Sequence, residues 1–287
     1  MTQRSAILSL LCMGAFALGG TYALLPRAAS DDGIARVHML DIGQGDSFLI
    51  DALGDSQLLI DTGGSDNAVL RRLAEVMDRG DRFIDVVLIT HPDMDHVGGL
   101  SAMLDRYGVG ALLTSEVSAH DDAFAPILSK AEKDGVPIYY VRKGTRIAFD
   151  DEGFAYFEVL FPDRDTTEWE TNTASVVGLL HLGEKRLLFM GDAPESIETF
   201  LQRSEPKIAN IDVLKLGHHG SNTSSSEAFL TYTAPKLALI SAGRDNRYGH
   251  PHPEVIARLT ALGIPYVSTQ TADTYTLVTD GKQWFKK

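Results

Sequence analysis

Short stretches rich in β-branched and aromatic residues alternate along the chain with stretches whose apolar residues recur at helical spacing. The first kind predicts strands and the second predicts amphipathic helices. Strands are predicted at 35–41, 47–51, 58–61, 85–90, 112–114, 138–141, 146–149, 157–161, 175–181, 185–190, 212–216, 237–241, 265–268 and 275–278. Helices are predicted at 67–79, 97–107, 122–134, 224–230 and 253–262. This alternation is typical of an α/β protein.

The pattern divides into two comparable halves, each a run of strands with helices behind it. Two sheets packed face to face and covered by helices would bury all these apolar faces, so we predict a four-layer αββα sandwich. Periodicity alone does not distinguish this arrangement from other α/β layouts.

Residues 1–30 differ from the rest of the chain. An almost unbroken apolar run from Ala6 to Leu25 lies between Arg4 and Arg27, with no acidic residue. The run is long enough to span a bilayer, and the small residues that follow it suit a signal peptidase. We predict a signal or anchor segment at 1–30 and a hydrolase domain at 31–287 outside the cytoplasm, either membrane-anchored by this helix or secreted.

Charge and cysteine content limit the chemistry. The formal net charge is −13, and removing the two arginines of residues 1–30 makes it −15. With this net negative charge, residues 31–287 do not attract nucleic acid through their overall charge. A polyanion would have to bind through the metals and a few basic side chains. The single cysteine, Cys12, lies in the N-terminal run, so the body has neither a thiolate metal site nor a disulfide.

The run Thr90 to Gly99 carries two imidazoles and two carboxylates directly after a predicted strand. Because side chains alternate along an extended backbone, His91 and Asp93 can reach one cation while Asp95 and His96 reach a second. Nitrogen and oxygen ligands suit zinc or manganese. Asp95 could instead be the N-cap of a helix that begins near Val97, but a cap needs one such residue rather than four.

Two further histidine pairs also lie in loops next to predicted elements, His218-His219 after a strand and His250 with His252 before a helix. Asp192 follows a predicted strand through Gly191 and could bridge two cations, or cap the helix that begins near Pro194. Asp61 could hold a liganding histidine by its far ring nitrogen, or simply form a turn.

Jointly these motifs resemble the metallo-β-lactamase fold superfamily, and more narrowly the hydrolase domain of DNA-internalisation competence proteins of the ComEC type. The resemblance covers 38–262 and rests on the segments 38–46, 60–63, 91–99, 172–177, 191–192, 215–221 and 248–253. It implies two divalent cations, zinc or manganese, held by His91 and Asp93 at the first position, by Asp95, His96 and one of His218 and His219 at the second, and by Asp192 between them. We predict His219 as the ligand, with His218 nearer the substrate.

The chain departs from the broader superfamily at two positions. Asp93 stands where the usual motif has its second histidine, and Asn172 stands where lactamases and glyoxalases have a further liganding histidine. The first metal position therefore loses imidazole ligands, which favours a harder ion such as manganese and argues against a β-lactamase.

Hydrolysis by a water activated between two cations is the predicted reaction. Asp95 would orient that water, and His218 or His250 would hydrogen-bond the phosphate or protonate the leaving oxygen. The predicted substrate contacts are Asn172, Lys215, Ser221, Asn246, Tyr248 and His252. For Lys215, a strand-end lysine with its head group in solvent is an equal alternative.

The resemblance implies a phosphodiesterase or nuclease that acts on DNA outside the cytoplasm. In competence proteins this domain is thought to degrade the strand that is not imported. One alternative is a hydrolase of small or lipid-linked phosphoesters, such as phosphocholine esters, which suits the acidic body better. A second alternative is a non-catalytic module, which the presence of nearly every liganding group disfavours.

Overall fold

The computed structural model describes residues 9–11, 21–23, 33–52 and 56–286. The strands are β1 (Ser9–Leu11), β2 (Thr21–Ala23), β3 (Ala35–Met39), β4 (Phe48–Asp51), β5 (Gln57–Ile60), β6 (Phe83–Leu88), β7 (Gly108–Thr114), β8 (Ile138–Tyr140), β9 (Arg146–Ala148), β10 (Ala155–Phe161), β11 (Val177–Leu182), β12 (Lys185–Phe189), β13 (Val213–Lys215), β14 (Leu237–Ile240), β15 (Tyr266–Ser268), β16 (Tyr275–Thr279) and β17 (Trp284–Lys286). The helices are α1 (Ala68–Val76), α2 (Met94–Val97), α3 (Leu100–Leu104), α4 (Ala125–Lys133), α5 (Glu195–Ser204), α6 (Glu227–Thr233), α7 (Pro253–Ala261) and α8 (Thr269–Ala272). Short 3-10 segments lie at Glu116–His120, Pro206–Ile208 and Gly217–Gly220.

Within the described ranges these strands form two sheets. The nine-stranded sheet has the order β1-β2-β9-β10-β11-β12-β13-β14-β15, and the eight-stranded sheet has the order β17-β16-β3-β4-β5-β6-β7-β8. Strands β5 to β8 run parallel to one another, and so do β12 to β15. Each sheet therefore has one parallel half, whose strands all end at the same edge.

Three apolar clusters define the layers. The central cluster joins the facing sides of the two sheets, where the Phe48 and Phe189 rings meet edge to face at 5.3 Å. A second cluster packs α1, α3 and α4 onto the eight-stranded sheet, and a third packs α5, α6 and α7 onto the other sheet. Both sheets are thus covered by helices on their outer faces, and the predicted four-layer αββα sandwich is confirmed.

Most predicted elements occur within a few residues of their expected bounds, but one prediction is wrong. The helix expected at 97–107 is two short helices, α2 and α3, separated by Gly98 and Gly99. A Cβ on Gly99 would lie 2.3 Å from the Thr62 carbonyl oxygen, so the chain passes too close to a neighbouring loop for any larger residue. Because α2 begins at Met94 rather than near Val97, Asp95 lies inside the helix and is not its N-cap.

The predicted signal or anchor segment at 1–30 falls largely outside the described residues. Its described parts are β1 and β2, which pair antiparallel with each other, while β2 pairs parallel with β9. In the ranges described, no helix has both the length and the apolar character needed to cross a bilayer.

Candidate metal centre

The chemistry-bearing residues follow the parallel strands of both sheets. Asp61 and the 91–96 segment follow β5 and β6, while Asp192 and the 218–219 pair follow β12 and β13. Two hydrogen bonds join the loops of the two sheets, from the Val176 amide to the Thr90 carbonyl (2.9 Å) and from the Ser241 hydroxyl to the Gly45 carbonyl (2.7 Å). Loops that are far apart in sequence therefore meet at one edge of the sandwich.

Asp192 lies at the middle of this meeting point. Its carboxylate is 3.3 Å from His96 Nε2 and 3.4 Å from His219 Nε2. On the other side it is 3.9 Å from His91 Nε2 and 3.7 Å from His218 Nε2. One buried carboxylate thus faces four imidazoles, which is the placement required of a group that bridges two cations.

The two predicted metal positions separate around Asp192. His96 Nε2 and His219 Nε2 are 3.3 Å apart, and Asp95 Oδ2 is 3.4 Å from His219 Nε2. On the other side, Asp93 Oδ2 is 3.8 Å from His91 Nε2, which is buried and has no hydrogen-bond partner. The structure therefore brings together all six predicted ligands in the predicted grouping, and it places His218 beside the first position.

Hydrogen bonds at the far ring nitrogens hold His96 and His219 in one orientation. His96 Nδ1 donates to Asp61 Oδ2 at 2.8 Å, and His219 Nδ1 donates to the Ser241 carbonyl at 2.9 Å. The Nε2 atoms of both rings then face Asp192, where a metal would take the place of their protons. Asp61 thus holds His96 by its far ring nitrogen, and does not merely form a turn.

Threonine hydroxyls hold the other two imidazoles in the same way. The Thr90 hydroxyl donates to Asp61 (2.8 Å) and so accepts from His91 Nδ1 at 3.0 Å. The Thr223 hydroxyl donates to Ser221 Oγ (3.0 Å) and so accepts from His218 Nδ1 at 3.1 Å. Four Nε2 atoms therefore converge on one carboxylate. Burial lowers the pKa of His96 and His219, but the neighbouring carboxylates, Asp192 first, raise it well above the ordinary value. Both rings then carry a proton on Nε2 at pH 7, which a bound cation would replace.

The charges of the cluster are those of a cation site. Burial raises the pKa of Asp192, but the neighbouring His219 and His96 hold it well below its ordinary value. Burial, together with the adjacent His96, lowers the pKa of His91 to about 3. Asp192 is therefore ionised and His91 is neutral at pH 7, which are the protonation states in which carboxylates and imidazoles bind metals.

Asp46 belongs to this cluster, although its sequence context predicted no role for it. Asp46, His96, Asp192 and His219 each offer a ligand atom within 4.8 Å of the others. However, Asp46 Oδ2 contacts Lys215 Nζ, and Asp46 Oδ1 is 3.3 Å from His219 Nδ1, the nitrogen that faces away from Asp192. Asp46 therefore lies behind His219, but it differs from Asp61: its Oδ1 forms no hydrogen bond, because His219 Nδ1 donates to the Ser241 carbonyl, and its contact with the ring is electrostatic. Its position between two glycine-containing turns was the signal available in the sequence.

Lys215 is buried and does not face an open cleft. Besides its contact with Asp46, its ammonium group donates to the Gly191 carbonyl at 3.1 Å and is 4.0 Å from Asp192. The sequence also allowed Lys215 to be a strand-end lysine with its ammonium group in solvent, and that alternative is wrong. The ammonium group points inward because it contacts the Asp46 carboxylate and donates to the Gly191 carbonyl. This placement also gives Lys215 no route to the predicted substrate contact.

The backbone is strained where the ligands are presented. Asp61, His218 and His219 all have left-handed conformations, with φ values of 58°, 48° and 54°. Such residues cost about 1–3 kcal/mol each and persist where the surrounding structure imposes them. Here the strain turns both histidines of the 218–219 pair toward Asp192.

Several predicted substrate contacts instead support the 243–252 loop. The Asn246 side chain donates to the Gly243 and His250 carbonyls and accepts from the Tyr248 and His250 amides. His252 Nδ1 accepts from the Asn222 amide at 2.8 Å, and its Nε2 donates to the Tyr248 carbonyl at 3.2 Å. Ser221 is buried. These three side chains therefore have their polar groups engaged within the protein.

His250, Asn172 and Tyr248 remain available to a substrate. His250 Nδ1 and Asn172 Oδ1 are buried without a hydrogen-bond partner, and Tyr248 is 46% exposed. Burial and the neighbouring His219 and His218 lower the pKa of His250 to about 4. His250 is therefore neutral at pH 7 and acts as a hydrogen-bonding group rather than as a protonated acid.

An open cleft of about 680 Å³ lies above the cluster, lined by Gln44, Gly64, Ser65, Pro92, Asp93, Met94, Asp95, Asp121, Ala123, Asn246, Arg247 and Tyr248. Gln44 was also absent from the predicted site. Its Oε1 accepts from the Gly243 amide at 3.1 Å, while its Nε2 is buried without a partner. That amide group is a donor available to an oxygen of a bound ligand.

Gly45 controls the spacing between the 41–47 loop and Asp95. Its φ is +118°, and a Cβ there would lie 1.9 Å from the Asp95 carbonyl oxygen. We expect Gly45→Ala to lower the free energy of unfolding by about 1–3 kcal/mol and to displace Asp95. Gly43→Ala is the matched control, because Gly43 also has a positive φ (+81°) but open space around it. Urea unfolding of both variants would contradict the steric argument if the two losses were equal.

Comparison with known proteins gives the following matches. Residues 40–244 match the family model described as Metallo-beta-lactamase superfamily. ComE operon protein 3 of Bacillus subtilis (strain 168) is 31% identical over 82% of this chain and 32% of its own length. Competence protein ComA of Neisseria gonorrhoeae is 30% identical over 88% of this chain and 33% of its own length. The chain thus spans about a third of the length of these curated relatives.

A likeness in fold extends to solved structures of low sequence identity. The metallo-beta-lactamase fold protein YhfI from Bacillus subtilis superposes with a TM-score of 0.57 at 12% identity, covering 86% of this chain and 99% of that chain. The architecture described above is therefore shared well beyond recognisable sequence similarity.

Proposed function

Because the chain belongs to the metallo-β-lactamase superfamily, whose members are generally hydrolases, we propose that it is a metal-dependent phosphodiesterase that acts on DNA. The observation that carries the proposal is the convergence of four imidazoles on the buried Asp192 carboxylate, at 3.3–3.9 Å. A β-lactamase activity is disfavoured, because Asp93 and Asn172 replace two of the expected imidazoles.

The six ligands would hold two divalent cations on either side of Asp192. Bound there, such cations lower the pKa of a water between them and stabilise the charge of a phosphoryl group in transfer. Oxygen ligands at the first position favour manganese over zinc there. Metal identity and number are part of the proposal.

The chain's own residues would orient the substrate and the attacking water. Among the ligands of the second metal position, Asp95 has the most accessible carboxylate, with 31% of its side chain exposed, and it lines the cleft. Burial raises its pKa, but His219 and His96 hold the pKa below the ordinary value, so Asp95 would accept a hydrogen bond from that water and orient it. The Gln44 amide and His250 Nδ1 are unpartnered polar groups at the cleft and above the histidines. We assign them to the phosphate oxygens.

DNA as the substrate rests on the relatives. ComA, which is 30% identical to this chain, carries the word competence in its name. Action outside the cytoplasm stays a prediction that rests on the composition of residues 1–30. Small phosphoesters stay the alternative substrate, since the acidic body provides no broad surface for a polyanion.

Metal removal tests the proposal. The purified full chain, treated with EDTA, is expected to lose hydrolysis of bis-p-nitrophenyl phosphate and of a single-stranded oligodeoxynucleotide. Added manganese or zinc should restore both, because the ligands lie ready around Asp192. Hydrolysis of the small ester alone would support the alternative substrate. No hydrolysis with either metal would contradict the proposed function.

A further inference from the structure

The cleft above the metal centre has two large exposed side chains on its walls. Tyr248 is 46% exposed on the 243–252 loop, and Met94 is 45% exposed at the start of α2. The 243–252 loop follows β14 of the nine-stranded sheet, whereas α2 follows β6 of the eight-stranded sheet. Tyr248 and Met94 therefore belong to different parts of the cleft lining. A tyrosine ring exposed beside a functional site offers a flat face to a planar ligand.

Tyr248 is held rigidly in place. Its ring stacks on His250, with centroids 5.6 Å apart and an interplanar angle of 19°. The Arg247 guanidinium lies 4.7 Å from the ring centroid and donates to the phenol oxygen. His252 and Asn246 hold the backbone of Tyr248, as described above. Because this arrangement is already ordered, a ligand that stacks on it would lose little conformational entropy of the protein.

The stack leads directly to the metal centre. The His250 ring lies 5.3 Å from the His218 ring and 6.0 Å from the His219 ring. Tyr248 is therefore separated from the liganding histidines by a single ring. A phosphate at the metal centre would place its neighbouring nucleoside beside Tyr248 and Arg247.

The charges of the lining favour stacking over phosphate binding at this subsite. Among the residues that line the cleft, only Arg247 is basic, while Asp93, Asp95 and Asp121 are acidic. Duplex DNA is bound chiefly through phosphate contacts to many basic groups, which this lining does not supply. The face of a base is accessible to an aromatic side chain only when the base is unpaired and unstacked.

We propose that Arg247 and Tyr248 form a nucleobase subsite in the cleft that Met94 also lines, so that the substrate is single-stranded nucleic acid with its scissile phosphate at Asp192. This inference rests on the proposed phosphodiesterase function and specifies its substrate class. The planar guanidinium and the phenol ring together form the stacking surface.

Binding measurements with and without bases test the subsite. The full chain with manganese is titrated against a fluorescent phosphorothioate oligothymidylate and against an abasic strand of equal length. We expect the base-containing strand to bind more tightly, and Tyr248→Ala to reduce that preference by about 5- to 100-fold, the usual effect of removing one stacking ring. Arg247→Lys keeps the positive charge but removes the planar guanidinium, and it should reduce the preference for the base-containing strand less than Tyr248→Ala does.

Two control variants separate stacking from general damage. Tyr248→Phe keeps the ring and should keep the preference. Tyr140→Ala removes a tyrosine that is equally exposed (46%) but lies on the edge strand β8 and outside the cleft lining, and it should also keep the preference. An unchanged preference in Tyr248→Ala, or duplex binding as tight as single-strand binding, would overturn the inference.

The same samples distinguish failure of the subsite from failure of the proposed function. Hydrolysis of bis-p-nitrophenyl phosphate without any preference for bases would overturn the subsite and leave the phosphodiesterase standing. A preference for bases that Tyr248→Ala removes, in a protein that hydrolyses no diester with either metal, would uphold the subsite and overturn the phosphodiesterase.

Discussion

An Asp192→Asn variant is expected to lose metal-dependent hydrolysis by about 10²–10³-fold or more. The substitution keeps the size of the side chain but removes the negative charge that faces four imidazoles. With an amide at the centre, both cation positions lose their shared ligand. We therefore expect the variant to retain less metal after gel filtration, measured by inductively coupled plasma mass spectrometry, along with the loss in kcat/KM.

Asp105→Asn is the control for this substitution. Asp105 is 63% exposed and pairs with Lys130 on the surface, so its loss should change neither metal content nor rate. A fully active Asp192→Asn variant, or one that retained its full metal content, would show that the centre is not organised around this carboxylate.

A Lys215→Met variant is expected to lose about 3–5 kcal/mol of unfolding free energy. The substitution leaves the Asp46 carboxylate buried without its cation, and both residues are almost completely buried in the native protein. Removing one member of such a pair costs more than removing both, because an uncompensated charge stays in a medium of low polarity. The double variant Lys215→Met/Asp46→Asn should therefore be more stable than the sum of the single losses predicts.

Urea unfolding of the EDTA-treated proteins measures this coupling without a contribution from metal binding. Lys236→Met is the matched control, because Lys236 also pairs with a carboxylate, Asp212, but is 72% exposed. Its expected cost is about 0–1 kcal/mol. Additive losses in the double variant, or equal losses in Lys215→Met and Lys236→Met, would show that the buried pair is not a coupled unit.

The buried pair also explains how the centre tolerates so many acidic groups. Asp46, Asp61 and Asp192 are all buried within one cluster. Lys215 supplies one permanent positive charge beside Asp46 and is 4.0 Å from Asp192, so the protein does not depend on bound cations alone to compensate them. The remaining negative charge faces the imidazoles, where a cation is expected.

Local pattern was sufficient to locate most strands and helices and the polar clusters that follow them, whereas the ligand set was implied by the resemblance to a known family. A buried strand followed by a short polar cluster is a feature of consecutive residues, so His91, Asp93, Asp95, His96 and Asp192 were identifiable from the sequence alone. The strands predicted at 175–181 and 185–190 were equally local, and β11 and β12 pair antiparallel there. Such signals depend on alternation and turn chemistry within a few residues.

The roles that the sequence left open depend on contacts between distant segments. Asp46 meets Lys215 and His219 across about 170 positions of the chain, and Gly99 breaks a helix because it touches the loop at Thr62. His252 and Asn246 were predicted to face a substrate, yet their polar groups are engaged within the protein. Sequence determined which groups the chain offers and the local conformation around them. Only the meeting of loops from two sheets decided which of those groups face Asp192, which support the histidines from behind, and which remain for a substrate. The physical reason is that hydrogen-bond partners and burial are set by tertiary packing rather than by neighbouring residues.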